Sequence, residues 1–230
     1  MGSNYELKYN VDIVFCMDAT DSMRHLLNLV KKHALSFCDD LMEEMASKGK
    51  TIHELRAKVI AFRDYMADGD KAMLKTDFFN LPEESAEFSQ IISALKHEGG
   101  GDEPEDGLEA LAYAMKSNWT TGGDKRRHII VVWSDASTHK LGECKRASSY
   151  PANMVKDFDE LTDMWDGGLQ NGGVMDDNAK RLILFTPNVP SWSTISDNWD
   201  KVIHFPSEAG TGLDQLTYQE IMHQIALSIS

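Results

Sequence analysis

The segment VDIVFCMDATDSM, Val11 to Met23, ends an apolar run with an acid, a hydroxyl, a second acid and a second hydroxyl: Asp18, Thr20, Asp21 and Ser22. Asp135 directly follows another apolar run, IIVVWS, and Asp102 follows three glycines in GGGDEPEDGLEAL, Gly99 to Leu111. Carboxylates beside hydroxyls are hard oxygen donors, which suit Mg²⁺ or Mn²⁺ better than zinc. Two carboxylates held ~4 Å apart repel by roughly 4 kcal/mol at an effective dielectric near 20, a cost that a bound cation removes. This chemistry requires the chain to bring Asp18, Asp102 and Asp135 to one place.

The elements that would do so are legible as alternating strands and helices. Val11 to Met17 and Ile129 to Ser134 are near-continuous β-branched and apolar runs, the pattern of strands covered on both faces. Arg56 to Phe62, Arg181 to Phe185 and Val202 to Phe205 are shorter runs of the same kind. Helical spacing of three or four residues links Leu26, Val30, Ala34, Phe37, Leu41 and Met45, then Leu108, Leu111, Ala112 and Met115, and finally Ile221, Ile225 and Ile229. This alternation predicts an α/β fold: a three-layer, Rossmann-like, doubly wound and mostly parallel central sheet with helices on both faces. Ligands of such sheets bind beyond the carboxyl ends of the strands, where neighbouring strands connect in opposite directions. All three aspartates share that edge if their strands are neighbours. Residues 138–179, with Pro151, Gly167, Gly168, Gly172 and Gly173, read as a long surface insertion holding one helix near Met154 to Trp165.

Length and charge narrow the function. With 230 residues and 42% apolar content, one sizeable α/β domain is expected. The chain carries 37 acidic against 23 basic residues, a formal charge of −14, so nucleic acid and anionic membranes would be repelled. Cys16, Cys38 and Cys144 are an odd set, with Cys16 in a strand and Cys38 in a helical pattern, which argues against a disulfide framework and for a reducing compartment. The opening residues hold no basic stretch followed by an apolar one, and no apolar window of about 18 residues occurs, so the expected location is cytoplasmic.

The D-x-T-x-S of Asp18, Thr20 and Ser22 resembles the first segment of the metal ion-dependent adhesion site of von Willebrand factor type A domains, usually D-x-S-x-S. Asp135 in VVWSDA stands where that family places its last aspartate, and Gly99 to Leu108 resembles its third loop, with Asp102 where a threonine is common. The resemblance covers residues 9–230 as a single domain and looks most like the intracellular microbial members. It implies Mg²⁺ or Mn²⁺ held by Asp18, Thr20, Ser22, Asp102 and Asp135, with an open position filled by an Asp or Glu of a partner protein. It also implies a non-enzymatic adaptor in a signalling, stress-response or conflict assembly. Thr20 keeps the hydroxyl of the usual serine, whereas Asp102 adds charge that would strengthen metal binding and reduce the demand for a partner's carboxylate.

Simpler and rival readings exist for each feature. Thr20, Asp21 or Ser22 could cap a helix starting near Met23. Glu105 and Asp106 fit helix-start chemistry, with Pro104 in the first turn. Arg63 and Asp64 would either rim the site or form a surface ion pair, and His139 would be a base, a ligand or an ordinary loop residue. Haloacid dehalogenase-like phosphotransferases also carry an aspartate at the end of the first strand, and Asp18 could attack a phosphoryl group. They place a second acid two residues later, however, and this chain has Thr20 there. Gly49-Lys50-Thr51 imitates a P-loop end, but Glu44 replaces the leading glycine. His53-Glu54 and His97-Glu98 lack the second histidine of H-E-x-x-H, and no G-x-S-x-G is present.

Overall fold

The computed structural model describes residues 8–99, 103–167, 174–211 and 213–230. Gly100, Gly101 and Asp102, and also Gly168, Gly172 and Gly173, lie outside the described residues. Seven strands form one sheet: β1 (Lys8–Asp18), β2 (Thr51–Phe62), β3 (Met73–Lys75), β4 (Phe79–Leu81), β5 (Lys125–Trp133), β6 (Lys180–Pro187) and β7 (Val202–Ser207). Their order is β3-β2-β1-β5-β6-β7, with β4 also on β2. Strands β2, β1, β5, β6 and β7 run parallel, and the short β3 and β4 pair antiparallel with β2. The fold is the expected mostly parallel, doubly wound sheet. The two short antiparallel strands carry three residues each, too few for an alternation to be read from sequence.

Alternation along β1 explains the three layers. Val11, Ile13, Phe15 and Met17 face α1 (Arg24–His33), α2 (Phe37–Ser47), α4 (Ser85–Ala94) and α8 (Tyr218–Ile229), packing with Leu26, Leu41, Phe88 and Ile225. Val14 and Cys16 face α5 (Gly107–Met115), α6 (Phe158–Asp166) and α7 (Pro190–Asn198), packing with Leu111, Trp165 and Trp192. Each strand of this kind is covered twice, which is why it reads as a continuous apolar run.

Two expected elements differ. The pattern from Leu26 to Met45 is broken into α1 and α2 at Ala34–Ser36, where Ser36 Oγ donates to the His33 carbonyl at 3.3 Å and to Asp40 Oδ2 at 2.9 Å. A side chain that bonds the nearby backbone competes with the helix ladder. In the 138–179 stretch the helix α6 starts at Phe158 rather than near Met154, because Asp157 caps it by accepting from Glu160 N at 3.0 Å. This stretch is not only a surface excursion. Leu141, Val155, Leu161, Trp165 and Met175 are buried in the second core, and Trp165 Nε1 donates to the Asp200 carbonyl at 3.0 Å.

Connections place the site. From β1 the chain reaches β2 through α1 and α2 on one face, whereas from β5 it reaches β6 on the other side of the sheet through α6 on the opposite face. The carboxyl ends of β1 and β5 are therefore adjacent while their connections diverge, and Met17 pairs with Trp133. Asp18 and Asp135 leave the sheet side by side. Beneath them Trp192, fully buried, donates Nε1 to the Ala136 carbonyl at 2.9 Å and packs its six-membered ring against Gly107.

A methyl group at Gly107 would stand 2.6 Å from the Trp192 ring, closer than packed carbon atoms approach. Gly107→Ala is expected to cost about 1–3 kcal/mol by overpacking. Gly122→Ala, whose added carbon meets nothing within 4 Å, should stay near wild type in the same denaturant unfolding measurement.

Candidate metal centre

Asp18 is the last residue of β1 and is fully buried. Thr20 Oγ1 donates to Asp18 Oδ1 at 2.5 Å, and Thr20 N donates to the same oxygen at 3.0 Å. Ser134 Oγ donates to Asp18 Oδ2 at 2.8 Å. Thr20 Oγ1 lies 3.2 Å from Ser22 Oγ, which donates to Asp135 Oδ1 at 2.8 Å. The result is an unbroken chain of contacts from Asp18 through both hydroxyls to Asp135. The hydroxyls are not helix caps: neither Thr20, which precedes the 3-10 turn Asp21–Met23, nor Met23, which precedes α1, makes a side-chain cap bond. Asp21 points elsewhere, to Arg24 at 2.7 Å and His97 at 3.2 Å. Four of the five residues expected to hold a cation thus converge, and Asp102 lies outside the described residues.

Backbone bonds from three loops fix this arc. Ala19 N donates to the Phe62 carbonyl at 3.0 Å, Glu98 N to the Ala19 carbonyl at 3.2 Å, and Gly210 N to the Asp135 carbonyl at 2.8 Å. Arg63 is not part of a surface ion pair. It is 7% exposed and donates to the carbonyls of Glu98, Lys71 and Lys96 at 2.6, 2.9 and 2.6 Å, tying the loop that leads to Gly99 against the end of β2.

Behind the arc lies a second layer of acids. Glu105 and Asp106 precede α5 but do not serve the helix start in the expected way, since Asp106 makes no side-chain cap bond and both are buried. Glu105 N donates to the Ser137 carbonyl at 3.1 Å and His139 N to the Glu105 carbonyl at 2.8 Å, a pairing that holds the α5 start against the loop after β5. Asp106 Oδ2 accepts from Tyr65 N at 2.6 Å. Asp64 caps α3 (Tyr65–Asp68) by accepting from Met66 N at 2.8 Å, and it also accepts from the Cys144 thiol at 3.5 Å. Asp64, Asp106, His139 and Cys144 each offer one ligand atom, and these atoms all lie within 4.8 Å of one another, a group able to hold a metal ion.

The electrostatics follow from burial. Loss of water pushes the Asp18 carboxyl up to about 6, opposed by the bonds from Thr20 and Ser134 and reinforced by the charge of Asp135. Burial pushes Glu105 up to about 9, and the charges of Asp18, Asp64, Asp68 and Asp106 add to it. Burial likewise raises Asp106, and it raises Glu109 to about 7 with help from Asp106. At Asp18, Glu105, Asp106 and Glu109, burial thus favours a proton or a neutralising cation over a free carboxylate.

No family model matches the chain. Among curated proteins it is similar to the alpha-protein kinase vwkA of Dictyostelium discoideum, 24% identical over 157 residues that make up 67% of this chain and 23% of the kinase. Its fold is shared by the pilus adhesin SpaC of Lactobacillus rhamnosus GG, with a TM-score of 0.53 and 11% identity over 99% of this chain and 31% of the adhesin. The open conformation of that adhesin gives a TM-score of 0.51 and 10% identity over 99% of this chain and 30% of the adhesin. The vWF domain of the type V pili tip protein Mfa5 of Porphyromonas gingivalis overlaps more loosely, with a TM-score of 0.37 and 20% identity over 59% of this chain and 40% of that one. The chain therefore spans less than a third of the kinase and of the adhesin.

Sequence reasoning found the oxygen arc because its members sit at strand ends in a recognisable spacing. It missed Glu105 and Asp106 as members of the edge, since acids beside a proline at a helix start carry an ordinary local explanation, and it missed Cys144, whose loop shows no pattern in the sequence. The Arg63-Asp64 pair directly after a buried strand was the available signal.

Glu105 sets a pH dependence. Its folded value of about 9 exceeds the ordinary 4.5, so the folded state holds a proton that the unfolded state has released, and stability falls as pH rises from about 4.5 to about 9. In chelator-treated protein, the melting temperature should drop between about pH 6 and 8.5, and Glu105→Gln, which cannot ionise, should flatten that drop. An equally steep drop in Glu105→Gln would show that the burden lies on other carboxylates.

Proposed function

We propose that this chain is a von Willebrand factor A-like module that binds a divalent cation, Mg²⁺ or Mn²⁺, and uses it to recognise an acidic residue of another protein. The observation that carries the reading is the contact chain from Asp18 through Thr20 and Ser22 to Asp135, with two buried carboxylates at its ends. The donor set fits a hard cation: it is all oxygen, it lies at the switch point of the sheet, and burial penalises its charges when nothing neutralises them. Asp18, Thr20, Ser22 and Asp135 would hold the ion, with Asp102 as the further ligand that the sequence suggests. Ser134 and Thr20 orient Asp18, and the Gly210 bond orients Asp135. The bound ion would supply an electrostatic anchor for one carboxylate. The net charge of −14 would repel acidic surfaces elsewhere, favouring an acid set in a neutral or basic patch and disfavouring nucleic acid and anionic membranes. The fold shared with adhesins supports the binding role, and the similarity to part of a protein kinase supports an intracellular signalling setting. The cytoplasmic, stress-response or conflict adaptor is the finer form of this proposal.

Recognition without turnover is the second part of the proposal. Both oxygens of Asp18 accept hydrogen bonds, and Thr20 occupies the position where a phosphotransferase would carry its proton-transfer acid. Mg²⁺ or Mn²⁺ should raise the melting temperature of the wild type, and Asp18→Ala should abolish the rise. Asp135→Asn should melt higher than wild type without metal and bind metal more weakly, because it removes one repulsive carboxylate and one ligand. Equal metal binding by wild type and Asp18→Ala in isothermal titration would sink the assignment.

The same site should retain partner proteins in a chelator-sensitive manner and hydrolyse no phosphoester faster than Asp18→Ala does. Metal-dependent phosphatase activity that disappears in Asp18→Ala would instead establish the phosphotransferase.

A further inference from the structure

Asp64, Asp106, His139 and Cys144 come from three separate turns: the one after β2, the start of α5, and the loop after β5. All four are buried or nearly so, with Asp106 fully buried and Cys144 1% exposed. Asp106 Oδ1 has no partner of hydrogen-bond geometry among the described residues, and neither ring nitrogen of His139 has one. The imidazole nitrogens stand 3.7 Å from Asp64 Oδ1 and 3.5 Å from Glu143 Oε2 without forming a hydrogen bond. Buried polar atoms are nearly always paired, and an imidazole with both nitrogens orphaned has a donor and an acceptor to satisfy at once. A buried carboxylate oxygen without a hydrogen bond of good geometry and an imidazole held only by long contacts to two carboxylates, all facing one thiol, leave their ligand atoms turned towards a common point.

We propose that Asp64, Asp106, His139 and Cys144 form a zinc site, separate from the oxygen arc and serving to lock the loops that carry it. The donor set is decisive. Nitrogen, sulfur and two carboxylate oxygens in four positions match a tetrahedral zinc centre, whereas Mg²⁺ and Ca²⁺ prefer oxygen alone. The ligand atoms span up to 4.8 Å. The edge of a zinc tetrahedron is ~3.4–3.8 Å, so binding needs only a small inward movement of side chains. Their backbones are already fixed: Asp106 N donates to the Arg63 carbonyl at 3.1 Å, His139 N to the Glu105 carbonyl at 2.8 Å, and Leu108 N to Thr138 Oγ1 at 3.1 Å. Zinc would exchange the Cys144 thiol proton for a Zn–S bond, release that proton to solvent, and leave two carboxylates, a thiolate and a neutral imidazole around a divalent ion. Glu105 N donates to the Ser137 carbonyl at 3.1 Å, so the start of α5 that carries Asp106 is tied to the same loop that carries Asp135 and His139. The zinc ion would therefore brace the wall of the first site without sharing a ligand with it, so the inference stands independently of the proposed partner recognition.

The test uses the whole 230-residue chain carrying Asp18→Ala, which removes a ligand of the arc, stripped with chelator and titrated with Co²⁺ and then Zn²⁺. Cobalt should produce a thiolate-to-cobalt charge-transfer band and intense tetrahedral d–d bands, and zinc should bleach both at a single equivalent. Cys144→Ser should lose the charge-transfer band, and His139→Ala should weaken zinc binding at least tenfold in competition with a chromophoric chelator, both with circular dichroism unchanged. The same cobalt titration of the wild-type protein, in which only the thiolate band is read, keeps the test if Asp18→Ala fails to fold, because the oxygen arc offers no sulfur. Octahedral cobalt spectra without a thiolate band, or zinc affinity unaltered by His139→Ala, would overturn the proposal. Loss of Mg²⁺ response in Asp18→Ala with the zinc site intact would leave the two sites distinguished.

Discussion

Carboxylates gathered at one end of the sheet repel one another, and water is not there to screen them. Asp18, Asp64, Asp106 and Glu105 are each at most 4% exposed, and the charge on one raises the cost of charge on the next. In a medium of low effective dielectric such a group is held only by protons, by hydrogen bonds or by cations. Much of the local architecture serves the second of these. Hydroxyls of Thr20, Ser22 and Ser134 point at carboxylates, backbone amides of Tyr65 and Met66 do the same, and Arg63 uses its guanidinium on carbonyls rather than on acids. Arg63 therefore stabilises the loop without neutralising the edge.

The doubly wound topology is what makes this concentration possible. Strands β1 and β5 are adjacent and parallel, but their outgoing connections turn to opposite sides, leaving a crevice at their carboxyl ends. The loops after β1 and β5 start from strands buried on both faces, so their positions are set by the packing of Trp133, Trp192 and their neighbours. The close approach of Trp192 to Gly107 shows how core packing and site geometry are joined: the same indole that fills the core holds the Ala136 carbonyl beside Asp135.

Two kinds of donor set share this edge. The arc from Asp18 to Asp135 is oxygen only, and the group behind it combines oxygen with nitrogen and sulfur. Hard and borderline cations sort between such sets by ligand chemistry, so neighbouring sites of opposite character can be filled independently. Burial and the neighbouring carboxylates push Glu105 up to about 9, so at neutral pH its proton spares the edge one charge.

The fold class was legible because strands covered on both faces must be apolar throughout, as β1 and β5 are, and helices laid on them carry apolar residues at helical spacing, as α8 does. The arc was legible because Asp18, Thr20 and Ser22 are close in sequence and Asp135 ends a strand. The break between α1 and α2 was not, since it depends on which way the Ser36 hydroxyl turns. Nor was the burial of the 138–179 stretch, whose Trp165 finds its partner at Asp200. The group of Asp64, Asp106, His139 and Cys144 was decided by tertiary structure alone. Its members are far apart in the chain, each has an innocent local reading, and only the packing of α5 against the loop after β5 brings their ligand atoms within reach of one ion.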